Sequence, residues 1–125
     1  MKYYLSLGSN IDPKLNLDKA ITALKILLSD VECSSIHQTK AEGFDGEDFL
    51  NLVICGTCSL PFQVLNKKLK DIEDETGRDR KAPKFSARTL DIDIVLQISD
   101  DEEILYESDE ITKYTFVSDP LKELL

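Results

Sequence analysis

A single histidine, three cysteines and the lack of any long apolar run exclude several kinds of protein at once. The lone histidine, His37, lies between Ile36 and Gln38 in a strand-like stretch, which leaves no Ser-His-Asp triad and no histidine-based metal site to build. An odd number of cysteines does not make a disulfide framework, so free thiols are expected. Cys55-Gly56-Thr57-Cys58 has the spacing of a redox or metal pair, but it continues the extended run Leu50–Cys55. Residues three apart on a strand point to opposite faces, so the two sulfurs should diverge as buried thiols. The apolar run near the N-terminus stops at Gly8-Ser9-Asn10, too short for a signal peptide or a membrane span, and a cytoplasmic location is expected. Neither Gly-x-x-x-x-Gly-Lys-Ser/Thr nor Gly-x-Gly-x-x-Gly occurs, so any phosphate has to be gripped by side chains and metal.

The net charge of −9 argues against a broad nucleic-acid footprint, which needs a surplus of Lys and Arg over a face. The charge is unevenly spread. Arg78, Arg80, Lys81, Lys84 and Arg88 accompany a single acid, Asp79, whereas 100–110 carries seven acids and no base. A local basic patch on an acidic protein suits a small polyanion better than a duplex.

With 125 residues and 42% hydrophobic content the chain reads as one domain, 1–125, with a real core and no interdomain linker. Lys2–Leu7 reads as a strand, and Asp12-Pro13 as the N-cap and first position of a helix whose stripe is Leu17, Ile21, Leu24 and Leu28. Val31–Ala41 and Phe49–Cys58 read as an antiparallel pair of strands. A second helix starts near Pro61, buries Phe62, Leu65, Leu69 and Ile72, and ends at Gly77. A strand follows in which Ile92, Ile94 and Leu96 alternate with Asp91, Asp93 and Val95. The acidic stretch 99–110 reads as a loop or hairpin, and Pro120–Leu125 as a short terminal helix. The order βαββαβ is the split pattern of ferredoxin-like α+β folds: an antiparallel sheet with two helices on one face.

Asp91 and Asp93, two apart on a strand, project from the same face and repel each other. An isolated Asp-x-Asp is usually a solvated strand edge. Here the cations of 78–88 arrive immediately before it. Magnesium held by one or two carboxylates neutralises phosphate oxygens while arginine forks stabilise transition-state charge, which is the combination phosphoryl transfer needs.

Leu5-Ser6-Leu7-Gly8-Ser9-Asn10, Gly43-Phe44 with Phe49-Leu50-Asn51, Ile72-Glu73 with Gly77-Arg78, and Arg88-Thr89-Leu90-Asp91-Ile92-Asp93 together resemble the 6-hydroxymethyl-7,8-dihydropterin pyrophosphokinases of folate biosynthesis. The resemblance implies transfer of a diphosphate from ATP to the pterin hydroxymethyl group with release of AMP. It implies that Asp91 and Asp93 hold two magnesium ions, and that Arg78 and Arg88 are catalytic arginines on a phosphate-contacting loop. Glu73, Arg80, Lys81 and Lys113 are expected near the nucleotide. Thr39, Gly43, Phe49, Asn51 and Phe116 are expected around the pterin, with Phe49 and Phe116 stacking on the ring and Asn51 bonding its edge. ATP and a pterin are the expected partners of a monomer, with no nucleic acid and no membrane.

The departures lie toward the C-terminus. Family members place a histidine and then an arginine before the second aromatic, where this chain has Ser108-Asp109-Glu110 and Lys113-Tyr114, and they normally continue beyond Leu124. Loss of one charge-stabilising donor can cost about 3 kcal/mol. A weakened relative that binds pterin or nucleotide without efficient turnover is therefore the alternative. A base-stacking nucleic-acid module is a third reading, opposed by the charge.

Overall fold

Tyr3, Leu5 and Leu7 alternate with Tyr4 and Ser6 along strand β1 (Lys2–Ser9), and this alternation divides the fold into two faces. A computed structural model describes residues 1–40, 46–77 and 89–125. Strand β1 is central, paired antiparallel with β4 (Phe49–Thr57) on one side and β5 (Asp91–Ile98) on the other. Strands β2 (Ser29–Cys33) and β3 (His37–Thr39) both pair with β4, and β6 (Ile104–Glu107) pairs with β5. The result is an open antiparallel sheet in the order β2-β4-β1-β5-β6, with β3 also on β4.

Helices α1 (Pro13–Leu27) and α2 (Phe62–Glu75) cover one face. Leu17, Ala20 and Leu24 of α1 and Leu65, Leu69 and Ile72 of α2 recur at helical spacing and pack on Leu5, Leu7, Leu52, Ile54, Ile92 and Ile94. Burying each leucine side chain contributes about 2 kcal/mol, so this face is the main source of stability. Pro13 opens α1 as expected, but Asp12 does not cap it through its side chain. Asp12 instead turns the chain at φ 42°, and Asn16 Nδ2 donates to Ile11 O across the turn at 2.6 Å. Gly77 follows α2 at φ +93°, a conformation that glycine adopts without strain.

The opposite face is covered by α4 (Thr115–Lys122), preceded by the single turn α3 (Glu110–Lys113). Val117 and Leu121 pack there against Tyr4, Val53, Cys55, Val95 and Leu96. The terminal helix thus begins five residues before Pro120, because Val117 and Leu121 are spaced to bury against the sheet and the proline falls near the end of a short helix. Just past α4, Glu123 accepts from Ser35 N and Ser35 Oγ, each at 2.8 Å, and pairs with His37 Nε2. The single histidine therefore ties the helix to the sheet edge.

Two irregularities correct the sequence reading of the strands. The expected strand Val31–Ala41 is broken: Cys33 pairs with Ile54 and His37 with Asn51, so four steps on one strand match three on the other. Ser34 fills the break, its N donating to Val53 O and its Oγ accepting from Val53 N. In β5 the register slips between Tyr4↔Leu96 and Leu5↔Ile94, so Val95 and Leu96 both join the α4 face and the expected Ile92-Ile94-Leu96 stripe ends at Ile94. Cys55 lies in the cluster under α4 and Cys58 in the cluster under α1 and α2, both as free thiols. Among the described residues no helix is long and apolar enough to cross a membrane.

Candidate active site

The pairing register lays polar residues in rows across the α4 side of the sheet. His37 is opposite Asn51, Asn51 opposite Gly8, and Gly8 opposite Asp91. In the neighbouring row Val53 is opposite Ser6 and Ser6 opposite Asp93. Directly paired residues share a face, so Asn51, Asp91 and Asp93 lie on one side of the sheet, while Ile92 between the two acids is buried in the other cluster. Asn51 and Asp91 are two strands apart, about 10 Å at ordinary strand spacing.

The acidic pair occupies the start of β5, where the strand's outer edge has no strand neighbour among the described residues because β6 pairs only with Leu96, Gln97 and Ile98. Two side chains of α2 take the place of that neighbour. Glu73, fully buried, accepts from Ile92 N through Oε2 at 2.6 Å, and Lys70 Nζ donates to Ile92 O at 3.0 Å. The same ammonium reaches Glu73 Oε2 and Asp93 Oδ1, each at 3.2 Å. Burial pushes the Asp93 carboxyl up to about 6; Asp91 and Glu110 add to the effect and Lys70 opposes it. Glu110 is also raised, by burial and then by Asp91. Burial alone would lower Lys70, but Asp93 and Glu73 outweigh it and leave the ammonium raised.

This surplus of negative charge on an accessible face fits a hard cation. No group of three His, Cys, Asp or Glu side chains suited to a metal occurs among the described residues, so a cation there would take its protein ligands from the aspartate pair. Magnesium is bound in this manner, through one or two carboxylates, with water and substrate oxygens completing its shell.

Beside the acids the same sheet face carries an amide and an aromatic ring. Asn51, buried, donates from Nδ2 to Thr39 Oγ1 at 2.8 Å, and half-buried Phe49 pairs with Thr39 in the next row. A side chain at position 8 would not fit, since a Cβ there would lie 2.9 Å from Asn51 Oδ1 and 3.8 Å from the Phe49 ring. Gly8, itself buried, thereby lets the Asn51 amide lie close over β1 between Phe49 and the acids. Asn10 Nδ2 donates to Glu47 O at 3.0 Å and fixes the loop leading into β4.

The C-terminal candidates have local partners of their own. Phe116 is half-buried and stacks on Tyr114, with centroids 4.8 Å apart and planes at 20°. Lys113 is exposed and paired with Asp109 at 3.0 Å, one turn away. Ser108 Oγ accepts from Glu110 N at 3.2 Å. Gly43, Arg78, Arg80, Lys81 and Arg88 lie outside the described residues. The sequence reading missed Lys70, although a signal was present: Glu73 is four residues after Leu69 on the buried stripe of α2, and an acid there requires a cation close by.

The described surface thus brings an acidic pair at a strand start onto the same sheet face as an amide and an aromatic ring. The chain belongs to the family of 7,8-dihydro-6-hydroxymethylpterin-pyrophosphokinases (HPPK), whose sequence model matches residues 4–125. It is 39% identical over 95 residues to the 2-amino-4-hydroxy-6-hydroxymethyldihydropteridine pyrophosphokinase of Aquifex aeolicus, covering 74% of this chain and 59% of that protein. It is 39% identical over 100 residues to a folate synthesis bifunctional protein of Chlamydia caviae, covering 74% of this chain and 22% of the relative. A folate synthesis bifunctional protein of Arabidopsis thaliana is 33% identical over 132 residues, covering 97% of this chain and 26% of the relative. The chain therefore spans less than two thirds of the length of each of these relatives.

Proposed function

We propose that this chain transfers diphosphate from ATP to 6-hydroxymethyl-7,8-dihydropterin, giving AMP and the pterin diphosphate for folate synthesis. The observation that carries the reading is the shared face on which Asn51 and Phe49 lie two strands from Asp91, with Gly8 between them leaving room for the amide. A pterin lying on Phe49 with its edge at Asn51 has its hydroxymethyl group directed toward the acids. The oxygen of that group bonds to the β-phosphorus of ATP, the bond from that phosphorus to the bridging oxygen of AMP breaks, and the hydroxyl proton is lost. Magnesium, one ion or two, would be held by Asp91 and Asp93 and would supply neutralisation of the phosphate oxygens. Phe116 would close the ring from the other side. Arg78 and Arg88 would meet the charge of the transferring group, and Arg80, Lys81, Lys113 and Glu73 would lie around the nucleotide, with Thr39 and Gly43 near the pterin.

The strand order β2-β4-β1-β5, with each helix crossing over one intervening antiparallel strand, supports the ferredoxin-like description. A single catalytic domain acting as a cytoplasmic monomer completes the reading. Its test is AMP release from ATP, magnesium and the pterin, with Asp93→Ala alongside. AMP from the wild type alone supports the transferase. Tight pterin or nucleotide binding with no AMP would replace it with a binding-only relative.

A further inference from the structure

Lys70 is placed at the junction of the three groups that shape the acidic end of β5. Its Nζ has one oxygen for each of its three protons: Ile92 O at 3.0 Å, Glu73 Oε2 at 3.2 Å and Asp93 Oδ1 at 3.2 Å. The Lys70 side chain is about one third exposed and Glu73 is fully buried, so the ammonium joins a buried acid to an aspartate still open to water. Four carboxylates, those of Glu73, Asp91, Asp93 and Glu110, are gathered around one another's charge at this end of the site. Among the described residues, Lys70 is a cation that pairs with two of them.

We propose that Lys70 is a positioning residue that holds Asp93 by one oxygen and, through its charge, keeps the aspartate pair from loading a divalent cation before nucleotide arrives. This proposal rests on the reading of Asp91 and Asp93 as the metal carboxylates. An ammonium in contact with one of the two metal carboxylates repels a second cation there, and the repulsion between a monovalent and a divalent charge a few ångströms apart in water-like surroundings weakens binding about tenfold. The phosphates of ATP bring enough negative charge to offset it, so metal and nucleotide enter together. Because the Lys70 protons already meet three oxygens, its effect on phosphate is indirect.

The experiment titrates Mn2+ into the protein without nucleotide, followed by water-proton relaxation, for the wild type, Lys70→Gln and Lys70→Arg. Lys70→Gln should bind the metal alone about tenfold tighter, by the same Coulomb argument, with Lys70→Arg close to wild type. In the presence of a non-hydrolysable ATP analogue the gap should narrow. If the glutamine variant does not fold, Lys70→Met carries the same comparison. Unchanged or weaker Mn2+ binding in the uncharged variants would overturn the proposal. So would a loss of metal-free nucleotide affinity with Mn2+ binding unaltered, which would make Lys70 a direct phosphate ligand. Since the titration needs no turnover, a wild type that releases no AMP while its lysine variants shift Mn2+ binding would refute the transferase and leave this inference standing.

Discussion

The two faces of the sheet are made by the same strands and do different work. On the α1 and α2 side, Leu5, Leu7, Leu52, Ile54 and Ile92 meet two full helices and leave no room for water. On the other side, among the described residues, the eight-residue α4 and the turn before it pack around Tyr4, Val53 and Val95, and the rest of that side carries Asn51, Gly8, Asp91 and Asp93. One face supplies the stability that lets the other keep residues that stability alone would not select. Two like charges side by side and a strand glycine are tolerable because the same strands are anchored from behind.

That contrast can be broken from either side. Leu69→Ala, on the fully buried stripe of α2, should lower unfolding free energy by about 2–5 kcal/mol, measured by urea denaturation. Asp93→Ala should do the reverse, leaving the thermal midpoint near wild type or above it while AMP release falls by about 10²–10³-fold. Gly8→Ala should weaken pterin binding by about tenfold, because the new methyl would press on Asn51 Oδ1 at 2.9 Å and a displaced amide loses a hydrogen bond worth about 1 kcal/mol. Calorimetric titration with the pterin would show it, with little change in magnesium dependence.

Two smaller effects sharpen the comparison through pH. Asp93 has its carboxyl raised from 3.8 to about 6, so between those values the folded chain keeps a proton that the unfolded chain releases. Metal-free protein should therefore lose stability as pH rises through that window and level off above it, and Asp93→Asn should flatten this part of the curve. Glu123 behaves oppositely. Its bonds from Ser35, then His37, lower it from 4.5 to about 2, so its contribution is complete above 4.5 and disappears as pH falls through about 2. Glu123→Gln should give a slight fall in thermal midpoint near neutrality that vanishes in acid.

Much of this was legible in the sequence because it depends on local periodicity. The stripe of Leu65, Leu69 and Ile72, the turn at Gly77 and the shared orientation of Asp91 and Asp93 follow from spacings of 3.6 and 2. What the spacing missed depends on partners distant in the chain. The extra residue after Cys33 exists because Ser34 answers Val53 across the sheet, and the slip at Val95 is set by pairing with Tyr4. The start of α4 is fixed by Val117 and Leu121 finding the sheet, not by the proline within it. In the candidate site, Asn51 and Phe49 were singled out by the family motif, whereas Lys70, which bonds to Asp93, comes 23 residues earlier on another element.

The edge of β5 at Ile92, which has no strand neighbour among the described residues, has one more consequence. A strand edge with unpaired N–H and C=O groups is a template on which another chain can add a strand, the usual beginning of edge-to-edge aggregation. At Ile92 that template is already filled by a carboxylate and an ammonium, which satisfy the backbone yet cannot propagate a ladder. A substitution of Glu73 or Lys70 would accordingly do more than disturb an acidic site. It would expose a short β-edge rich in isoleucine, and the first sign of damage in concentrated solution would be self-association of folded molecules.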